Sequence, residues 1–474
     1  MSTVLGIDIG TSGVRVLAVC ESGTVLASAQ SPLKSYRSAD GRTHEQDPQS
    51  WWAAVCTALK QVSGTLSEAR CLGAISAVGV TSTSGSLVIA DSAGAVLRNA
   101  ILYDDGRAAE LAGDLRTKET PEINASYSLA KAVWVRRYEP HLWERTRHLL
   151  HPADWIVGKL SGRYGVSDYC NSLKLGYDPH EACWSEATRK ANFPPELLPE
   201  VLDPGEIAGS VCASASEESG LPTGLPVVLG ATDGMADLVA SGAQHAADTN
   251  TTLGTTMVWK VLSTVQPRLS GSIYCHRHPG GWLAPGAASN TGPGSVQWSG
   301  GEADRWAADL QANERFPTSL ICYPLRGTGE RFPFHSDCAS GFHDGEPATY
   351  WDSYAAQLEA LAYIERWGYE RLSACGVETG GAVYSGGAAA RSRTLARVRS
   401  SVLQRPVCQS EHPSAAFGAA ILAAGGSIYG GDLRSAISRM THLANVEDPC
   451  PELSRQYEDL YGEFRTACAR RGYV

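Results

Sequence analysis

The sequence predicts a mixed α/β protein built from two similar halves. Short β-branched strands alternate with helical patterns along the chain, and a strand hairpin with a Gly-Thr turn occurs at the head of each half. The length of 474 residues also favours two domains, because a single core stops growing near ~250–300 residues. We therefore predict one domain at residues 1–242 and a second at residues 243–474.

The first half begins with the clearer of the two hairpins. Residues 4–7 form a short apolar strand that ends on Asp8, and residues 14–19 form the returning strand. The remaining elements follow from periodicity and from Gly and Pro positions. They are strands at 77–81, 86–90 and 225–230, helices at 48–62, 122–140, 185–193 and 235–241, and a loop-rich stretch at 162–179.

The second half repeats the hairpin at residues 250–259 and then becomes helical. Apolar residues at helical spacing predict a long amphipathic helix over 350–375. A strand with a glycine turn at 381–387 precedes a basic helix at 391–403. The chain has no short-period repeat, so duplication of one fold explains the two hairpins.

Composition excludes several classes of protein. A net charge of −10 and a pI near 5.7 argue against a nucleic-acid partner. The N-terminus lacks the pattern of a signal peptide, and no window reaches the ~18 apolar residues of a membrane span, so we predict a cytoplasmic protein without a membrane partner. The 13 cysteines are scattered singly, which is typical of reduced thiols.

The two hairpin turns carry the residues of phosphate-binding loops. Free backbone N–H groups and hydroxyls in such turns can bond phosphate oxygens, and an adjacent carboxylate can orient hydrated Mg²⁺. The first turn also has that carboxylate, Asp8, whereas the second has no acidic residue. The candidate ATP-binding residues of the turns are Gly10, Thr11, Ser12, Gly254, Thr255 and Thr256. A P-loop and a dinucleotide-binding Gly-x-Gly-x-x-Gly motif are both missing, so the turns remain the candidates for ATP binding. The alternative is that they are ordinary tight β-turns, in which Asp, Gly, Thr and Ser are common.

Asp233 is the strongest candidate for chemistry. A buried strand run ends at Gly230, and Asp233 lies where a helix begins. Ligands of open α/β sheets bind at such strand ends. A carboxylate there can accept the proton of a sugar hydroxyl that attacks a γ-phosphoryl group. The alternative is that Asp233 only caps the helix.

Polar residues that could bind a polyol come from three places. These are the end of the strand near Thr81, Ser82, Thr83 and Ser84, the segment with Asp104, Asp105 and Arg107, and Lys131 on the predicted helix. The alternative is that these side chains are solvated surface groups, as lone charged residues usually are.

Taken together, these motifs resemble the FGGY carbohydrate kinases over nearly the whole chain. The resemblance is carried by LGIDIGTSGVRV, HEQDPQSWW, ILYDDGRA, GRYGVSDYCNSLKLGYD, LGATDG, NTTLGTTMVW and SGGAAARSRTL, in that order. It implies two actin-like, ribonuclease-H-like domains with ATP and sugar in a cleft between them. It also implies transfer of the γ-phosphate to a sugar hydroxyl with Mg²⁺.

The resemblance assigns roles by position. Asp8 resembles the aspartate associated with Mg²⁺, Thr11 a phosphate-loop donor, and Asp233 the general base; Asp8 and Asp233 would share the metal and contact the sugar. Thr255 and Thr256 match the second phosphate motif. Gly386 and Gly387 match the adenosine motif, and Ala390 lies where many members carry Asn or Ser. The remaining predicted sugar contacts are Ser84, Asp105 and Lys131.

Within the family, the sequence is most similar to the plant and cyanobacterial D-ribulose kinases. Ser128–Lys131, the Leu173–Tyr177 run and Gly329–Pro333 carry this likeness. Xylulose kinases typically have Met-His-Gly or Met-His-Asp where this chain has Thr83-Ser84-Gly85. The sequence thus predicts a D-ribulose kinase that forms D-ribulose 5-phosphate. The alternatives are kinases for D-xylulose, L-ribulose or ribitol, and a non-catalytic actin-like scaffold or sugar sensor. The oligomeric state stays open.

Overall fold

The computed structural model describes residues 2–68, 75–117, 120, 123–269, 271–296 and 312–474. It divides into two compact units. The first contains Met1–Ala240 and Ser414–Thr441, and the second contains Ser241–Pro413 and His442–Val474. The sequence-based division at 242/243 lies close to the first of these boundaries, but it assigned residues 414–441 to the second half. Their contacts place them in the first unit.

The first unit is organised around a six-stranded sheet. Its order is Ile207–Ser210, Pro226–Thr232, Ile75–Ser82, Thr3–Ile9, Gly13–Cys20 and Val25–Pro32. Pro226–Thr232, Ile75–Ser82 and Thr3–Ile9 are parallel to one another. The other neighbouring pairs in the sheet are antiparallel. The carboxyl ends of the three parallel strands therefore lie at one edge of the sheet.

Shorter strands and helices surround this sheet. Small sheets pair Tyr36–Arg37, His44–Gln46 and Ala100–Ile101, Val88–Ala90 with His148–Leu150, Val166–Asp168 with Glu200–Leu202, and Tyr177–Asp178 with Cys183–Trp184. The helices are Pro48–Glu68, Ala109–Leu115, Ser128–Tyr138, Pro140–Trp143, Pro152–Ser161, Tyr169–Ser172, Glu186–Ala191, Ala213–Ser219, Asp233–Ser241, Ala415–Gly426 and Leu433–Met440. Two 3₁₀ turns, Leu173–Leu175 and Pro195–Leu197, complete the described elements.

Alternation along the first strand separates the two faces of this sheet. Leu5 and Ile7 join a core with residues of helices Pro48–Glu68 and Pro152–Ser161. On the other face, the Cβ that Gly6 lacks would lie 2.0 Å from the carbonyl oxygen of Ala416. Glycine therefore allows helix Ala415–Gly426, which is apolar and buried almost throughout, to lie directly on the strands.

The second unit has a seven-stranded sheet with a matching pattern. Its order is Tyr274–Arg277, Leu283–Ala288, Met257–Val261, Thr249–Leu253, Val383–Gly386, Val407–Ser410 and Leu443–Glu447. As in the first unit, a hairpin strand is followed by two parallel neighbours and then by an antiparallel edge strand. The prediction of two similar α/β halves is confirmed by this topology.

Helices and a second hairpin complete the described part of the second unit. The hairpin strands are Ile321–Glu330 and Ser336–Asp344, and the helices are Tyr350–Ala374, Arg393–Leu403 and Pro451–Arg470, with 3₁₀ turns at Pro293–Ser295 and Ala388–Arg391. The core between them is rich in aromatic side chains, including Trp259, Trp367 and Phe464. Among the described residues of both units, none of the helices combines the length and apolar character that a membrane crossing needs.

A buried ion pair holds the long helix of the second unit to its sheet. Arg399 Nε and Nη2 donate to the two carboxylate oxygens of Glu365 at 2.6 and 2.8 Å, and both side chains are at most 1% exposed. Arg399 Nη1 also donates to Ser385 Oγ at 2.7 Å, and Thr251 donates to Glu365. The pair therefore joins two neighbouring strands, because Thr251 lies in Thr249–Leu253 and Ser385 in Val383–Gly386.

Most predicted elements are present, with shifted ends. The predicted helix 350–375 is Tyr350–Ala374, and the strand at 225–230 is Pro226–Thr232. The predicted helix 122–140 is described as Ser128–Tyr138, and Glu122 lies outside the described residues. The prediction of a loop at 162–179 is wrong. Asp168 accepts backbone hydrogen bonds from Cys170 and Asn171 and so starts a short helix there.

Glu359 on the long helix should make the stability of the second unit depend on pH. Burial raises its pKa to about 7, although hydrogen bonds from Thr318 and Tyr457 lower it. Because the folded pKa lies above the ordinary 4.5, the folded state binds this proton more tightly than the unfolded chain. The resulting stabilisation is complete below pH 4.5 and is lost as the pH rises to about 7.

We expect Glu359→Gln to remove this component of the pH dependence. The variant should lose less free energy of unfolding between about pH 4.5 and 7, by up to about 3 kcal/mol. Urea unfolding across this pH range measures the effect, and Glu378→Gln at an exposed site is the control. Identical pH profiles for wild type and Glu359→Gln would contradict the assignment.

Candidate active site

Asp8 and Asp233 lie at the same edge of the first unit's sheet. Asp8 is the last but one residue of strand Thr3–Ile9. Asp233 directly follows strand Pro226–Thr232 and begins helix Asp233–Ser241. The strand Ile75–Ser82 lies between them, parallel to both. The sequence alone predicted each residue at a strand end, and the topology now brings the two ends to one place.

The two carboxylates interact. Burial and, to a smaller extent, the negative charge of Asp233 raise the pKa of Asp8 to about 7, although Arg15 acts to lower it. Arg15 Nη1 lies 3.9 Å from Asp8 Oδ2, but its side chain is 53% exposed and compensates only weakly. Asp233 Oδ1 accepts a hydrogen bond from the backbone N–H of Gly234 at 2.7 Å. This edge of the sheet therefore concentrates negative charge in a partly dry environment.

The surroundings of Asp8 fit a cation. Its Oδ1 atom is buried and has no hydrogen-bond partner among the described residues. A buried carboxylate oxygen without a partner is costly, and an oxygen-ligated divalent ion is one group that can satisfy it. Mg²⁺ needs few protein ligands because it keeps several waters and binds substrate phosphates. Asp8 and Asp233 are thus suitable in type and position for the predicted magnesium site.

The first Gly-Thr turn closes the hairpin beside these carboxylates. Gly10 donates to the carbonyl oxygen of Gly13 at 3.0 Å, and Gln46 donates to the carbonyl oxygen of Thr11 at 2.7 Å. Tyr103 lies near this turn, and burial and the nearby charges of Asp104 and Asp233 raise the pKa of its phenol. Ser12 is exposed at the tip of the turn. The predicted phosphate-loop residues are therefore held in place and partly open to solvent.

The side chains predicted to contact the sugar differ in their exposure and in their hydrogen-bond partners. Ser84 is half-buried in the turn after strand Ile75–Ser82. Asp105 is fully buried, and its carboxylate accepts hydrogen bonds from the backbone of His44 at 2.6 Å and from Arg107 Nε at 2.8 Å. Asp105 is thus paired with Arg107. Its side chain has no exposed surface that a sugar could contact. A direct sugar contact by Asp105 stays a prediction that the geometry does not favour.

Lys131 is also fully buried, and its ammonium is committed to backbone oxygens. Nζ donates to Ala125 at 2.7 Å and to Tyr103 at 3.4 Å. Burial and the charge of Lys174 hold the pKa of Lys131 well below its usual value. In the structure Lys131 thus ties the Tyr103 segment to residue 125. Its predicted contact with a sugar would have to add to these bonds or replace them.

Two further side chains reach this edge without having been predicted as site residues. Tyr103 lies beside Thr11 and Asp233, and Lys174 is close enough to Asp233 for the carboxylate to affect its pKa. The sequence contained Lys174 inside a family-like motif but gave no sign of its surroundings. The short helix and 3₁₀ turn that position it were predicted as a loop.

In the second unit, the second Gly-Thr turn is packed against a glycine segment. Gly254 donates to the carbonyl oxygen of Thr256 at 3.1 Å, and Gly294 donates to that of Gly254 at 3.1 Å. A Cβ at Gly294 would lie 2.6 Å from Thr255 Cα. Only glycine allows this approach. Gly294 therefore packs against the backbone of the turn, while the Thr255 side chain is exposed.

A cavity of about 340 Å³ lies at the carboxyl ends of two parallel strands of the second unit. Ala390, one of the predicted ATP-binding residues, lines it. Gly387 has φ +82° and approaches Leu253, the residue before the second turn, so that a Cβ would lie 2.5 Å from its carbonyl oxygen. The segment predicted to bind adenosine is thereby fixed next to the second Gly-Thr turn. The other lining residues are Ser385, Arg391, Arg393, Gln409, Ser410, Glu411, Pro413, Ala444 and Asn445.

Gly386 is the last residue of strand Val383–Gly386 and follows Ser385, which lines this cavity. Sequence reasoning missed Gln409 and Asn445, which supply amide groups to the lining. Gln409 donates to the carbonyl oxygen of Ala390 and is thereby oriented. Both are only weakly indicated in the sequence. Gln409 is a polar residue near the end of strand Val407–Ser410 and Asn445 lies within strand Leu443–Glu447, and single polar residues at such places are common in any sheet.

A Ser-His-Asp triad in the first unit is connected by hydrogen bonds as in a hydrolase, but its burial excludes a catalytic role. Ser128 Oγ lies 3.1 Å from His151 Nε2, and His151 Nδ1 lies 2.8 Å from Asp154 Oδ2. All three side chains are at most 1% exposed. No substrate reaches the serine, so the triad serves to join helix Ser128–Tyr138 to helix Pro152–Ser161.

The fold and the two groups of residues define a class, the ATP-dependent sugar kinases with duplicated actin-like domains. Residues 3–240 match the N-terminal domain of the FGGY family of carbohydrate kinases, and residues 244–426 match its C-terminal domain. The chain belongs to this family.

Named relatives and solved structures agree with this class. The chain is 26% identical over 412 residues to a xylulose kinase of Escherichia coli K12, covering 81% of this chain and 82% of the relative. It is 32% identical over 221 residues to a xylulose kinase of Streptomyces rubiginosus, covering 44% of each. The crystal structure of xylulose kinase from Rhodospirillum rubrum superimposes with a TM-score of 0.86 at 27% identity, covering 99% of this chain and 98% of that chain.

Proposed function

We propose that the protein transfers the γ-phosphate of ATP to a hydroxyl of a ketopentose, with D-ribulose as the preferred acceptor. The observation that supports this proposal most directly is that Asp8 and Asp233 lie at the same edge of the sheet, at the ends of two strands that flank Ile75–Ser82, where burial and the charge of Asp233 raise the pKa of Asp8. A carboxylate pair beside a phosphate-binding turn suits phosphoryl transfer, in which positioning and charge stabilisation dominate.

In the proposed reaction Asp233 is the general base. A sugar hydroxyl oxygen attacks the γ-phosphorus, the bond from that phosphorus to the bridging oxygen of ADP breaks, and the hydroxyl proton passes to a carboxylate oxygen of Asp233. The carboxylate already accepts one hydrogen bond from the Gly234 backbone, which fixes its orientation. Such positioned proton transfer typically contributes about 10²–10⁴-fold to the rate.

Asp8 and Asp233 would hold the Mg²⁺ ion. When bound, the ion neutralises charge on the β- and γ-phosphate oxygens. The unpartnered Oδ1 of Asp8 supports this placement. Thr11 and Ser12 of the first turn and Thr255 and Thr256 of the second would donate to phosphate oxygens, and the cavity lined by Ala390 and Gln409 would hold the adenosine.

The choice of sugar rests on the turn after strand Ile75–Ser82. This chain has Ser84-Gly85 there, without the Met-His pair typical of xylulose kinases, and its sequence motifs resemble those of D-ribulose kinases. D-xylulose is the second candidate, because the relatives described above are named xylulose kinases. A non-catalytic scaffold or sensor is disfavoured because both carboxylates are present.

The test is ADP release by the purified protein with Mg-ATP and a panel of acceptors. The panel consists of D-ribulose, D-xylulose, L-ribulose, L-xylulose, ribitol, glycerol and a blank without sugar. We expect the highest kcat/KM with D-ribulose. A higher value with D-xylulose would replace D-ribulose by the second candidate. Equal ADP release with and without sugar would contradict the kinase proposal and favour an actin-like ATPase, and no release with any acceptor would favour a sensor.

A further inference from the structure

Lys174 presents an ammonium group that the described structure leaves without a hydrogen bond or an ion pair. It lies in the 3₁₀ turn Leu173–Leu175, directly after the short helix that Asp168 caps. Burial lowers the pKa of Lys174 to about 8, and Asp233 raises it. The side chain is half-buried, and its ammonium carries three donors that a ligand could use.

Lys131 provides the contrast within the same region. Its ammonium is also buried, but it donates to two backbone oxygens, as expected for a structural lysine. The charge of Lys174 contributes to the low pKa of Lys131. The carboxylate of Asp233 acts on Lys174 in the opposite sense and raises its pKa, while the donors of Lys174 remain available.

Gly85 creates the space that Lys174 occupies. It has φ +84°, and a Cβ at this position would lie 2.6 Å from Lys174 Cδ and 3.3 Å from Lys174 Nζ. The same Cβ would lie 2.3 Å from the carbonyl oxygen of Ser126. The lysine side chain thus lies across the turn that follows the strand Ile75–Ser82, at the place where a larger residue would otherwise project.

We propose that Lys174 donates a hydrogen bond to an oxygen of the acceptor sugar and that Gly85 and Lys174 act as a pair that selects the acceptor. This inference rests on the proposed sugar kinase function. A sugar can engage both groups, because one hydroxyl can donate its proton to Asp233 while another oxygen accepts from the ammonium. Hydrogen bonds to charged groups are the stronger ones, so Lys174 would contribute a large share of sugar affinity.

The decisive variant is Lys174→Met, which keeps the length of the side chain and removes the charge. With the sugar that the wild type phosphorylates, kcat/KM should fall by about 10- to 100-fold, mainly through KM for the sugar, while KM for ATP is unchanged. Without sugar, the unfolding midpoint should not fall below that of the wild type, because the described structure shows no hydrogen bond or ion pair of the ammonium that the variant would lose. Lys190→Met, at an exposed site on helix Glu186–Ala191, is the matched control and should change neither quantity.

A structural role for Lys174 predicts the opposite pattern. Lower stability of Lys174→Met with unchanged KM for the sugar would overturn the proposal. A second variant, Gly85→Ala, should impair sugar use by displacing the lysine, and the double variant should lose no more than the worse single variant because both act on one contact. Full additivity would also contradict the pairing. Failure of the wild type to phosphorylate any sugar would instead contradict the proposed function, and it is visible before the variants are compared.

Discussion

Replacing Asp233 by asparagine should lower kcat by about 10²–10⁴-fold, the range typical of a general base. Asparagine keeps the size of the side chain and still accepts the Gly234 hydrogen bond through its amide oxygen, but it cannot take the proton of the attacking hydroxyl. Steady-state ADP release at saturating sugar measures the loss. Protection of the protein by sugar in thermal unfolding should persist, because the amide leaves the sugar-binding groups in place.

The control for this experiment is Asp203→Asn, an exposed aspartate of the same unit. It should have wild-type kcat. If Asp233→Asn also kept wild-type turnover, Asp233 would be reduced to a helix-starting residue. If turnover and sugar protection were lost together, the residue would bind sugar but its role as base would not be supported.

The second large effect concerns stability. Replacing Arg399 by methionine should lower the free energy of unfolding of the second unit by about 3–5 kcal/mol, because the Glu365 carboxylate would be left buried and without its counter-ion. ATP affinity should fall as well, since Ser385 both accepts from Arg399 and lines the cavity. Chemical unfolding with and without ATP measures both quantities.

A charge-neutral double variant distinguishes the contribution of the ion pair to stability from that of the packing of the arginine side chain. Glu365→Gln combined with Arg399→Met removes the unpartnered charge, and it should recover a large part of the lost stability. If the double variant were as unstable as Arg399→Met, packing of the arginine stem rather than its charge would be responsible.

The sequence predicted the architecture because its strongest patterns are local. The two hairpins, the long helix of the second half and the helix after Asp233 follow from β-branched runs, glycine positions and apolar spacing, all of which act over a few residues. It also predicted correctly that Asp8 and Asp233 end strands. Their closeness depends on the strand Ile75–Ser82 lying between theirs, which is a property of sheet order rather than of local sequence.

The parts that could not be predicted depend on distant contacts. Lys174 was hidden because its position results from the cap at Asp168 and from the space at Gly85. Asp105 and Lys131 looked like free polar groups in the sequence, whereas Arg107 and backbone oxygens occupy them in the fold. Burial and partners decide whether a charged residue is available, and neither follows from its neighbours along the chain.

The helix Ala415–Gly426 has a consequence for how the protein is made. It covers the face of the first sheet that Gly6 exposes, yet the ribosome adds it only after nearly all of the second unit. During synthesis the face of the first sheet that this helix covers therefore stays without it until residues 415–426 have been added. A fragment that stops at residue 240 would contain both carboxylates of the candidate site but not the helix that covers their sheet.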